Sequence, residues 1–104
     1  GENIGDNGGL NIAFRALQNT LKEKPQPVID GFTAEQRFFL SWATVWAGNA
    51  RPEFIDRQIK TDPHSPAEYR VNAALPQIDE WYKAFGVKKG DKLFLDKKKR
   101  AHIW

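Results

Sequence analysis

The chain has 104 residues and no cysteine, so disulfide bonds and thiolate metal sites are both excluded. That absence does not by itself establish a reducing compartment. No hydrophobic run approaches the length of a membrane span. No stretch reads as a signal peptide, which a fragment of a longer protein could have lost. Repeats and low-complexity linkers are absent as well. One domain is the limit for this length, and it would bury roughly two thirds of its unfolded surface.

What is present reads as globular: Leu, Ile, Val and Phe are well represented, and four Trp are many for the size. The net charge of +3 is modest but unevenly placed. Lys88, Lys89, Lys92, Lys97, Lys98, Lys99 and Arg100 crowd the last stretch, and residues 88–104 read as a basic, turn-rich tail. Such a cluster is able to meet phosphates. It lacks the interleaved aromatics and the reading motif of a nucleic-acid domain, so a solvated tail is the favoured reading.

Leu10, Phe14, Leu17 and Leu21 recur with helical period and predict a first helix. Upstream of them, Gly5, Gly8 and Gly9 each cost a helix about 1 kcal/mol relative to Ala. Glycines kept at that cost often permit close backbone approach to another element. With nothing before it to act as a cap, the first turn is expected to fray. If the segment is helical, Glu2 and Asp6 share a face one turn apart and repel unless a cation or polar partner sits beside them. A plainer reading has them as an acidic first turn that complements the helix dipole.

Pro25 and Pro27 end this helix, and residues 28–32 form a loop. Thr33 with Gln36 is a capping box. The helix after it carries Phe38, Phe39, Trp42, Val45 and Trp46, core-forming aromatics rather than a ligand platform, and closes at Gly48. Pro52 opens a third helix with Phe54, Ile55 and Ile59. A fourth runs from Pro66 to about Leu75. Pro76 opens a last one, with Ile78, Trp81, Tyr82 and Phe85 on one face and Gly86 at its end. The class is all-α.

Between the third and fourth helices lies Thr61-Asp62-Pro63-His64-Ser65-Pro66-Ala67-Glu68-Tyr69-Arg70. Ser65 and Glu68 form a capping box with Pro66 at the first helical position, so a helix is expected directly after His64. Asp62 and His64 then sit on the loop feeding it and Arg70 on its second turn. An imidazole beside a carboxylate is held in one tautomer and readily protonated, a suitable donor to developing negative charge. The same trio is also what an ordinary polar helix start looks like.

With Glu2-Asn3-Ile4-x-Asp6-x-Gly8-Gly9 at one end and Asp62-x-His64-Ser65-Pro66-x-x-x-Arg70 in the middle, the chain resembles the C-terminal part of the neprilysin family of zinc metallopeptidases. That family includes endothelin-converting enzymes and bacterial oligopeptidase O. The resemblance also takes in Phe38-Phe39-Leu40, Val45-Trp46, Arg51-Pro52-Glu53 and Trp104, and so covers essentially all of the chain. It implies a helical subdomain of a thermolysin-like (gluzincin) catalytic domain, occupying residues 1–104. By resemblance, Glu2 is the third protein ligand of zinc and Asp6 orients a zinc-bound histidine. His64 stabilises the oxyanion of the tetrahedral intermediate, Asp62 orients His64, and Arg70 holds a backbone carbonyl of the peptide substrate.

The H-E-x-x-H helix that carries the family's other two ligands and its catalytic base is missing, and the only histidines, His64 and His102, lie far apart. A catalytic zinc needs three protein ligands and an open position. The chain is therefore expected to be a fragment, inactive and without tight zinc binding alone, whose first partner is the missing N-terminal part of its parent. Eukaryotic members of the family carry disulfides, so the lack of Cys points to a bacterial-type parent, in the cell envelope, periplasm or cytoplasm. A different class of function is a non-catalytic helical module that docks on a protein partner or on itself, through apolar surface left open beside the first helix.

Overall fold

The computed structural model describes residues 2–47, 51–61 and 67–101; of residues 2, 3, 56 and 58 it describes the backbone alone. Among these residues there are five α-helices and no extended strand: α1 (Glu2–Glu23), α2 (Ala34–Val45), α3 (Pro52–Thr61), α4 (Ala67–Asn72) and α5 (Asp79–Phe85). Short 3-10 turns follow at Leu75–Gln77 and Lys97–Lys99. The all-α class holds.

Helix α1 starts well before its apolar stripe and runs through all three glycines. Packing outweighs their propensity cost here. Leu10 and Phe14 are core residues, Asn7 is buried, and Asn11 Nδ2 donates to both the Asn7 carbonyl and its Oδ1. The expectation of close backbone approach fails at Gly5 and Gly9, where an added Cβ would have no neighbour within 4 Å.

After α1 the chain reverses in a tight turn. Ile29 and Phe32 exchange both backbone hydrogen bonds at 3.0 Å around Asp30 and Gly31, whose φ values are 52° and 81°. Two successive positive φ angles are the signature of the two-residue hairpin turn that Asp-Gly favours. Arg37 Nη1 donates to the carbonyls of Pro27 and Phe32 and holds this turn against α2.

The capping box of α2 forms as its sequence predicts: the Gln36 amide donates to Thr33 Oγ1, and the Thr33 amide to Gln36 Oε1. Gln36 is used twice, because its Nε2 also donates to the Ala84 carbonyl on α5 at 2.8 Å. The described helix ends with Trp46 as its cap, and Gly48 lies outside the described residues.

The core is an aromatic cluster between α1, α2 and α5. Phe14 stacks on Phe39 with centroids 5.1 Å apart, Phe38 meets both edge-on, and Ile78, Trp81 and Tyr82 close the far side. Offset and edge-to-face pairs are the arrangements that aromatic quadrupoles favour.

Helix α4 is shorter than expected. It stops at Asn72, and Pro76 sits inside the 3-10 turn instead of opening a helix. Proline disfavours helical geometry in the residue before it and has no N–H to donate, so the chain must re-nucleate. Helix α5 then begins at Asp79, with Asp79 and Glu80 in its first turn. It ends as anticipated at Gly86, in the left-handed region at φ 62°.

The basic segment folds back rather than trailing. The lysines are exposed, but the Arg100 guanidinium lies 3.6 Å from the Tyr82 ring centroid. Its Nη1 donates to Asp79 Oδ1 and its Nε to the Leu95 carbonyl, both at 2.9 Å. Tyr82 Oη donates to the Pro76 carbonyl at 2.7 Å and accepts from the Leu95 amide at 3.1 Å.

Truncating the centre of the cluster is expected to be severe. Phe39→Ala should destabilise the chain by about 3–5 kcal/mol in chemical denaturation, as a buried aromatic leaves a cavity that a helical core refills poorly. Val45→Ala, at a position 69% exposed, should stay within about 0.5 kcal/mol.

Candidate functional site

Asp6 projects from the second turn of α1 and Arg70 from the second turn of α4, 64 positions later in the chain. The two side chains meet in a bidentate pair: Arg70 Nε donates to Asp6 Oδ2 at 2.8 Å and Nη2 to Oδ1 at 2.7 Å. They retain only 9% (Asp6) and 13% (Arg70) of their side-chain exposure. Water therefore screens the pair little, and two parallel charge-assisted hydrogen bonds fix the guanidinium in the plane of the carboxylate. The repulsion expected between Glu2 and Asp6 is relieved at the Asp6 end by this cation.

Helix α2 supplies the rest of the setting. The Arg70 guanidinium lies over the Trp46 ring, 3.9 Å from its centroid. Trp42 Nε1 donates to the Arg70 carbonyl at 3.1 Å, and the two indoles meet edge to face at 5.7 Å. Arg70 is thus held by α1 through its charge and by α2 through both its side chain and its backbone.

Asp6 also borders an open groove between α1 and α2 of roughly 590 Å³. Gly5, Gly9, Ala13 and Leu17 form one wall, and Phe38, Trp42 and Val45 the other. The bare glycines widen it. This is the apolar surface beside the first helix that the sequence led one to expect.

The Glu2 backbone belongs to α1, one turn before Asp6, which sets both residues on the same side of the helix. The Glu2 side chain, Asp62 and His64 lie outside the described residues, as do Ser65 and Pro66. In the chain, Asp62 and His64 fall between Thr61 at the end of α3 and Ala67 at the start of α4, the helix that carries Arg70. Among the described residues no group of three His, Asp or Glu side chains is placed to hold a metal ion.

Two functional neighbours escaped the sequence reading. Pairing of Asp6 with Arg70 leaves no trace in local spacing at such a separation. Trp46 reads as one more apolar position on a helix, and nothing in its neighbours tells that its ring faces a guanidinium.

The acidic and basic pair thus ties the helix of the first motif to the helix that follows the second, beside an open apolar groove. The chain belongs to peptidase family M13, whose family model matches residues 1–101. It is 42% identical to human neprilysin across its whole length, covering 14% of that protein, and 44% identical to mouse endothelin-converting enzyme 1 over 82% of the chain, 11% of that protein. Among solved structures, the zinc metalloprotease of Mycobacterium tuberculosis in its open state superimposes with a TM-score of 0.94 at 48% identity. That match covers 99% of this chain and 16% of the other. The same protease in complex with an inhibitor matches equally well. The chain spans about one seventh of the length of the curated relatives it matches.

Removing Arg70 leaves the largely buried Asp6 carboxylate without its cation. Arg70→Met should cost about 3–5 kcal/mol of folding stability, measured by urea denaturation. Replacing both, in Asp6→Leu with Arg70→Met, should restore most of it. A double variant no more stable than Arg70→Met would show that the loss does not come from the uncompensated carboxylate.

Proposed function

We propose that this chain is the C-terminal helical part of a zinc-dependent metalloendopeptidase that hydrolyses peptides, and that it brings to the active site one metal ligand and the groups that bind substrate and transition state. Family membership, the identity to neprilysin and the likeness to the mycobacterial zinc metalloprotease support this reading. The observation that carries it is the Asp6–Arg70 pair, which joins the Glu2 helix to the helix entered through His64.

The residue roles are those that the resemblance to the family implies, and the Asp6–Arg70 pair supports them by joining the two motifs that carry them. Glu2 would be the third protein ligand of zinc, with the other two on the H-E-x-x-H helix of the parent's remainder. A zinc ion held by Glu2 and those two histidines would supply Lewis-acid chemistry to the scissile carbonyl and to an attacking water. Asp6 accepts from Arg70 and, with its remaining lone pairs, would orient a zinc-bound histidine. His64, oriented by Asp62, would donate to the developing oxyanion. Arg70 would bind a backbone carbonyl of the peptide. A single carboxylate ligand does not hold zinc by itself, so the chain alone should neither retain the metal nor hydrolyse peptides. The cysteine-free sequence and the mycobacterial likeness favour a bacterial-type parent.

The groove between α1 and α2 supports a second reading, that of a docking module. The two readings share a first occupant, the remainder of the parent chain, since so much of each relative's length lies beyond the match. Self-association through the same face is the other occupant such a surface permits.

Purified chain is expected to leave a bradykinin-like peptide intact, and to yield chelator-sensitive hydrolysis only when combined with the H-E-x-x-H portion of the parent. Chelator-sensitive hydrolysis by the chain alone would overturn the assignment. In the complete enzyme, His64→Phe should lower kcat by about 10²–10³ with little change in KM, the mark of a contact made in the transition state.

A further inference from the structure

We propose that Trp46 is a positioning residue for Arg70: its ring is the platform that sets the tilt of the guanidinium, and thereby the direction in which Arg70 meets a peptide carbonyl. This rests on the reading of Arg70 as a substrate-binding residue and deepens it.

The geometry separates the duties of three side chains. The bidentate contact with Asp6 fixes the guanidinium within the carboxylate plane, but that plane turns with the Asp6 side chain. A ring stacked 3.9 Å from the guanidinium carbon opposes that turning, because tilting would lift the cation from the π face. Trp42 pins the start of the Arg70 side chain by donating to the Arg70 carbonyl at 3.1 Å, and it buttresses Trp46 edge-on. Backbone, charge and ring face are thereby each held by a different residue.

The indole N–H of Trp46 carries the more telling observation. It is buried and has no hydrogen-bond partner among the described residues. Burying an unpaired donor is unfavourable, so the ring does not owe its position to its own polar group. What the position does satisfy is the Arg70 face. Phenylalanine would keep an aromatic face and remove the orphaned donor, whereas leucine would remove the face and keep the bulk.

The test has two arms. In isotope-labelled chain, the Arg70 Nε–H resonance, assigned by its loss in Arg70→Lys, carries a downfield contribution from its hydrogen bond to Asp6 and an upfield one from the Trp46 ring current. In folded Trp46→Leu it should therefore move downfield of its wild-type position, and in Trp46→Phe stay close to it. A resonance that does not move in folded Trp46→Leu overturns the proposal. In the complete peptidase, Trp46→Leu should raise KM by roughly threefold to thirtyfold, the range a desolvated cation–π contact spans, with kcat little changed. Trp46→Phe should recover most of that loss. In an Arg70→Met background the same Trp46→Leu change should have no further effect.

If Arg70→Met raises KM but Trp46→Leu acts undiminished on top of it, Trp46 works independently of Arg70 and the positioning role is wrong. If Arg70→Met leaves KM unaltered, the substrate role of Arg70 falls, and this inference falls with it.

Discussion

A carboxylate and a guanidinium withdrawn from water and joined at two points set most of what is distinctive here. Asp6 and Arg70 come from opposite halves of the chain, and each would be expensive to bury alone. Their union makes the position of α4 relative to α1 close to all-or-none: displaced by a few ångströms, the Asp6 carboxylate loses its cation in a low-dielectric setting. A bidentate fork also specifies orientation, which a hydrophobic contact does not. The glycine-rich start of α1 holds its helical form in this context, with Asn7 and Leu10 packing directly after Asp6.

Helix α2 is the element both halves share. One side enters the aromatic core through Phe38 and Phe39, while Trp42 and Trp46 reach across to Arg70. Gln36 caps the helix and bonds the Ala84 carbonyl, so the start of α2 is tied to α5 and its end to α4. Core stability and the geometry of the polar pair are therefore coupled through one rigid segment of twelve residues. The C-terminal segment repeats the device with other residues. Arg100 lies on Tyr82 and pairs with Asp79, which converts a lysine-rich stretch into a folded one.

The groove beside α1 and the open apolar face of α3 belong to the same picture. Phe54 and Ile59 are each 60% exposed, and the glycine-bearing wall of α1 has no Cβ neighbours. Surfaces of this kind are ordinary at a cut through a larger domain. The match to a small part of each much longer relative accounts for them without any special property of the chain.

Local rules had most of the fold in hand. The stripe at Leu10, Phe14 and Leu17, the Thr33–Gln36 box, Pro52 at a helix start and Gly86 at a helix end all express short-range chemistry, and each stands where its pattern puts it. The motif residues Glu2, Asp6, His64 and Arg70 were singled out by resemblance to the family, and of these the structure describes the side chains of Asp6 and Arg70. Around Pro76 two local signals competed, and the proline's backbone restriction won over apolar periodicity. At Gly5 and Gly9 the helix holds but no other element comes within 4 Å of an added Cβ, and at Arg100 distant partners decide what the immediate neighbours left open. Helix type and caps were thus settled by the sequence itself, since they depend on atoms a few residues apart. That Asp6 closes on Arg70 with Trp46 beneath was decided only in three dimensions, because a contact across 64 positions is selected by the packing of whole helices and not by any pattern along the chain.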